Sequence, residues 1–132
     1  MSNEPELDIE RQIAHWRKGA DEAWDAALDM INRDRRVQFG LFFVHLALEK
    51  IIKAHIWQTQ QKMPPHIHNL IRLAEIAGLS LSVRHKKVLA EINDFNIEGR
   101  YSDLLGHPVS LRDAKGYLRR AKGTFEWLKN QF

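Results

Sequence analysis

The sequence predicts an all-α protein, an up-and-down antiparallel four-helix bundle with one additional short helix. Three observations predict it. Apolar residues recur at spacings of three and four almost throughout the chain. Pro, Gly and capping residues fall between those periodic stretches rather than inside them. The best alternating run, Leu79 to Val83, is too short for a convincing strand.

The first helix is expected to start near Pro5, a favourable first-turn residue. Its apolar stripe is Ile9, Ile13, Trp16, Ala20, Ala23, Ala27 and Ile31. Asn32-Arg33-Asp34 reads as a short turn. The second helix should cover roughly Arg36 to Gln60. It has one stripe at Val37, Leu41, Val44, Leu48, Ile51 and His55, and another at Phe39, Phe42, Phe43, Leu46 and Ile56. A helix that is apolar on two faces is the one buried against several partners. Pro64-Pro65 forbids its continuation. A short helix follows over about Asn69 to Ala77, with Gly78 as its stop. Ser80 or Ser82 should cap the fourth helix, which carries Leu81, His85, Val88, Leu89, Ile92 and Phe95 and frays near Gly99. Ser110-Leu-Arg-Asp113 has capping-box spacing, with Asp for the usual Glu. It opens the fifth helix, striped by Leu111, Ala114, Leu118, Ala121, Phe125, Leu128 and Phe132.

The chain is 132 residues long and 44% apolar, which suits a single domain over 1–132 with one sizeable core. It has no Cys, so disulfides, thiolate metal sites and a Cys nucleophile are excluded. The first ten residues are acidic and polar, unlike a signal peptide. Phe39 to Leu48 is too short and too polar to span a membrane. A cytoplasmic location without membrane association is therefore expected. The net charge of +3 permits contact with nucleic acid without demanding it.

The densest group of functional side chains lies in the non-helical connection Ile97 to Ser110. Arg100, Tyr101, Asp103 and His107 fall within eight residues of one another. A guanidinium offers a fixed fork of donors that suits a phosphate. An imidazole titrates near neutrality and can move protons. Together they suit phosphodiester cleavage, with His removing a proton from a ribose 2′-OH while Arg steadies the charge on phosphorus. The same residues also occur in loops as solvated side chains or helix caps. Tyr101 and Asp103 either line the same cleft or pack and cap at the bundle end. Glu49 either faces the cleft from the second helix or forms a surface pair with Lys53. His66 and His68 have a two-ligand spacing, but no third ligand accompanies them, so no metal and no cofactor is expected. His45, His55 and His85 read as core-edge residues with a satisfied nitrogen. Arg33, Arg35 and Arg36, and likewise Arg84, Lys86 and Lys87, read either as guides for RNA or as solvated helix surface.

Four segments in order carry a family resemblance. They are Phe43-Val-His-Leu-Ala-Leu-Glu-Lys-Ile-Ile-Lys-Ala54, His68-Asn-Leu-Ile-Arg-Leu73, Asn96-Ile-Glu-Gly-Arg-Tyr-Ser-Asp103, and Arg100 followed after six residues by His107. The chain resembles the HEPN family (higher eukaryotes and prokaryotes nucleotide-binding), whose signature is Arg-x4–6-His. The resemblance implies a helical bundle that forms a homodimer and brings two such motifs into one cleft. It implies a metal-independent endoribonuclease with RNA as substrate and Arg100 and His107 as the catalytic pair. Many small members are toxins whose antitoxin is a minimal nucleotidyltransferase. Others are non-catalytic and serve as nucleotide-binding or assembly partners of such an enzyme. Here Tyr101 stands where Asn, Asp or His is frequent in established nucleases, and Ser102 stands where Pro is common. Val109 occupies the position of a Tyr that the partner modifies in some toxins, so that route of inactivation is closed.

Overall fold

The computed structural model describes residues 4–33, 36–96 and 109–132. They form five helices: α1 (Glu4–Asn32), α2 (Val37–Gln60), α3 (Leu70–Ile76), α4 (Val83–Asn93) and α5 (Leu111–Lys129). No strand occurs among the described residues. The architecture is a helical bundle with α3 as the additional short helix. α1 and α2 pair along most of their length as an αα-hairpin, and α2 also touches α3, α4 and α5.

α2 is central because it is apolar on two faces and buries its polar residues between its neighbours. Leu41, Val44, Ala47, Leu48, Ile52 and Ala54 are wholly shielded from solvent. All of these but Ala54 belong to one core that also takes in Ala20, Ala27 and Ile31 of α1, Leu70 and Leu73 of α3, Leu89 and Ile92 of α4, and Ala114, Ala121 and Leu128 of α5. Trp24 of α1 stacks on Phe125 of α5, with ring centroids 4.7 Å apart, and so ties the first helix to the last.

The hairpin turn leaves Arg36 in the left-handed region at φ 49°, with no side-chain cap on α2. One turn later, Gly40 lets α1 and α2 come into contact. A Cβ there would lie 2.6 Å from Cγ1 of the fully buried Ile31. That atom sits close to the Ile31 backbone and cannot swing away. Gly40→Ala is therefore expected to destabilise the fold by about 1–2 kcal/mol, because overpacking outweighs the gain in helix propensity. Urea denaturation checks this; a variant more stable than wild type would contradict the close packing.

The capping signals act where the sequence places them. Asn69 accepts from the amides of Ile71 and Arg72, Ser82 from that of His85, and Ser110 from that of Asp113. Gly78, at φ 73°, ends α3 in a Schellman motif: its amide bonds to Glu75 and that of Leu79 to Ala74. The fourth helix departs from expectation. It stops at Asn93 rather than near Gly99. Phe95 turns into the core, with its amide on the Ile92 carbonyl, and Asn93 Oδ1 accepts from the Leu70 amide at 2.8 Å. Burying that ring and capping α3 both require the chain to leave the helical path here. Among the described residues, no helix is long and apolar enough to cross a membrane.

Candidate functional site

Arg100, Tyr101, Asp103 and His107 lie outside the described residues. The chain on either side of them is described and well anchored. On the α4 side, Phe95 is buried and meets Tyr117 of α5 edge to face, with ring centroids 5.0 Å apart. On the α5 side, Val109 packs against the core and Ser110 caps the helix.

Glu49 is described, and its setting differs from the surface-pair reading; the cleft it was expected to face lies outside the described residues. Glu49 pairs with Lys53, but the pair is buried rather than on the surface, with the two residues 6% and 5% exposed. His45, Glu49 and Lys53 follow one another at four-residue intervals along one face of α2. Glu49 Oε2 accepts from Lys53 Nζ at 3.0 Å, and Oε1 accepts from His68 Nδ1 at 2.9 Å. His45 Nδ1 stands 3.7 Å from Oε1, while its Nε2 donates to the His68 carbonyl at 2.9 Å. Both carboxylate oxygens are thus satisfied, as a buried charge requires. Lys53 also reaches toward α1, with its ammonium 5.8 Å from the centre of the Trp16 ring. His68 enters from the α2–α3 connection, just before Asn69, the cap of α3 that also meets Asn93 at the end of α4. The Glu49 group therefore sits under the corner where α2, α3 and the end of α4 converge, one connection away from the Arg100 to His107 stretch.

The three stripe histidines are satisfied as expected. His55 Nε2 donates to the Leu128 carbonyl at 2.8 Å, and its ring stacks on Phe132. His85 Nδ1 meets Thr124 Oγ1 at 2.8 Å and stacks on Trp127. Burial pushes the pKa of His45 below the ordinary 6.5, against the pull of Glu49. Burial also lowers His55, and it lowers His85 with help from the Arg84 charge. The unfolded chain therefore takes up protons at these rings that the folded chain refuses. Their contribution is fully present above pH 6.5 and is lost as pH falls through the lowered folded values. The thermal midpoint is expected to drop as pH falls below about 6.5; a midpoint that rises there would contradict the neutral buried imidazoles.

His66 is exposed, and the His68 ring is turned to Glu49. Among the described residues, no group of three His, Asp or Glu is placed to hold a metal ion.

A second feature was only half visible in the sequence. Two adjoining hollows, of about 570 and 450 Å³, open on the α4–α5 face and share Arg120. Arg84 and Lys87 come from α4, and Arg112, Lys115 and Arg119 from α5. The α4 cluster is evident as a run of cations. The α5 cations are spread at spacings of three and four, which marks a single helix face and could have found them.

The model of the HEPN domain family matches residues 13–131, nearly the whole chain. This chain belongs to the HEPN family. Comparison with curated proteins and with solved structures gives no match. Membership fits a HEPN-family function, often RNA cleavage or nucleotide binding. Within the fold, the HEPN-like segment Glu49 to Ala54 forms the buried middle of α2, and His68-Asn-Leu supplies the Glu49 partner and the α3 cap. The Arg100-x6-His107 motif falls inside the matched range, between α4 and α5.

Proposed function

We propose that this HEPN protein is a metal-independent endoribonuclease that works as a homodimer in the cytoplasm, with Arg100 and His107 as its catalytic pair. It is the toxin of a toxin–antitoxin pair, and its partner is a minimal nucleotidyltransferase. One observation carries this reading: the family match spans the interval that holds Arg100 and, after six residues, His107.

The chemistry follows from the two side chains. Neutral His107 removes the proton from a ribose 2′-OH. The freed oxygen attacks the neighbouring phosphorus, and the 5′-oxygen leaves with a proton, so a 2′,3′-cyclic phosphate remains. Arg100 holds the phosphoryl oxygens and balances the charge that grows on them. Tyr101 and Asp103 contribute contacts to the substrate from the same stretch. Glu49 acts through the side chains it holds, since its oxygens are taken by Lys53 and His68.

Inducing the protein in a bacterial host tests the reading. Wild type should arrest growth, His107→Ala should not, and co-expressed nucleotidyltransferase should relieve the arrest. Equal arrest by His107→Ala would remove His107 from the mechanism. Unimpeded growth with wild type would favour the non-catalytic reading, a nucleotide-binding or assembly partner of the nucleotidyltransferase, which the presence of Tyr101 after Arg100 also suits.

A further inference from the structure

The geometry points to the α4–α5 face as a groove that binds the phosphate backbone of single-stranded RNA. The two hollows on this face adjoin at Arg120. Six cations line them, Arg84, Lys87, Arg112, Lys115, Arg119 and Arg120, against two carboxylates, Glu91 and Asp113. That surplus of four exceeds the +3 of the whole chain, so the protein's positive charge is concentrated here.

Arg120 donates to both oxygens of Glu91, at 3.1 and 3.4 Å. The other five cations have no ion-pair partner among the described residues. Unpaired cations gathered on one face attract a polyanion and release its counterions on contact. Two glycines of α5 leave room for guanidinium groups to lie close to the helix. A Cβ at Gly116 would stand 3.3 Å from Arg120 Nη1, and one at Gly123 would stand 3.8 Å from Arg84 Nη2.

The lining also favours nucleic acid over an acidic protein. Among the described residues, charged side chains outnumber Val88, Gly116 and Tyr117 in the lining. A protein interface wants an apolar, desolvated centre, whereas nucleic-acid interfaces are polar and strongly positive. Tyr117, packed edge to face on Phe95, holds the Arg120 guanidinium 5.0 Å from its ring and so keeps that cation at this surface. α5 begins four residues after His107, so the groove adjoins the proposed catalytic stretch in sequence.

The choice of RNA rests on the ribonuclease reading, but the test does not depend on cleavage. Binding of a labelled oligouridylate to His107→Ala is followed by fluorescence anisotropy across a salt series. Replacing Arg112, Lys115 and Arg119 with Gln should weaken binding roughly tenfold or more and flatten the slope of log K against log salt by about 2. All three are exposed, so the fold should tolerate the change, and circular dichroism checks this. A control replaces Arg11, Lys18 and Lys62, which removes the same charge elsewhere and should leave the slope nearly unchanged. Equal losses in both variants, or no measurable binding, would overturn the groove. Displacement of the RNA by polyglutamate of equal length at equal concentration would assign the face to an acidic protein instead. Failure of wild type to cleave RNA would remove the nuclease reading and leave this binding result standing.

Discussion

Glu49→Ala is expected to cost about 3–5 kcal/mol of stability, a large fraction of what a domain of this size possesses. Among the described residues, this carboxylate is the acceptor for the Lys53 ammonium, which is buried between α2 and α1. Without it, Lys53 must stay charged without compensation, lose its proton, or drag its stem toward water. The bond from His68 to Glu49 is lost as well, and with it one tie between the α2–α3 connection and α2. The companion experiment removes both charges, Glu49→Leu with Lys53→Met. Buried pairs replaced together by apolar groups of similar size cost little and sometimes stabilise. The double variant should therefore recover most of the loss seen in Glu49→Ala. Urea denaturation of the three proteins measures this. A Glu49→Ala variant within 0.5 kcal/mol of wild type, the usual size of a surface change, would mean that the carboxylate is effectively solvated.

The second large effect is on catalysis. His107→Ala should slow RNA cleavage by about 10²–10⁴-fold, the range for a positioned general base. Arg100→Lys should recover little of the activity lost in Arg100→Ala, because an ammonium is a point charge and cannot reproduce the two-pronged contact with phosphate. The thermal midpoints of these variants should stay close to wild type. That separates them from Glu49→Ala, whose loss of activity would follow its loss of fold. A His107→Ala enzyme as fast as wild type would place the proton transfer elsewhere.

Much of the fold was legible because its determinants are local. Ser82, Ser110 and Gly78 act within one helical turn of where they stand, and their residue types announce the job. The central position of α2 was legible because its apolar residues cover two faces. What escaped the sequence was non-local. The early end of α4 depends on Phe95 finding the core and Asn93 finding Leu70, 23 residues away. The burial of Glu49 was hidden for a similar reason. Glu and Lys four apart look like any solvated helix pair, and only His68, 19 residues on, and Trp16 of α1 complete a buried setting for them. The groove needs α4 and α5 side by side before its two sets of cations become one surface. Arg100 and His107 were found differently, from their chemistry and spacing together with the family resemblance, and the description of the fold adds only the anchored chain on either side of them.

The most direct measurement is cleavage of single-stranded RNA by the purified protein in excess EDTA, with the ends of the products identified. Arg100 supplies the positive charge that a metal would otherwise bring, so cleavage should persist in chelator. The nucleophile is the neighbouring 2′-OH, so each break should carry a 2′,3′-cyclic phosphate, and DNA of the same sequence should remain intact. Cleavage that EDTA abolishes, or that cuts DNA equally well, would contradict the mechanism.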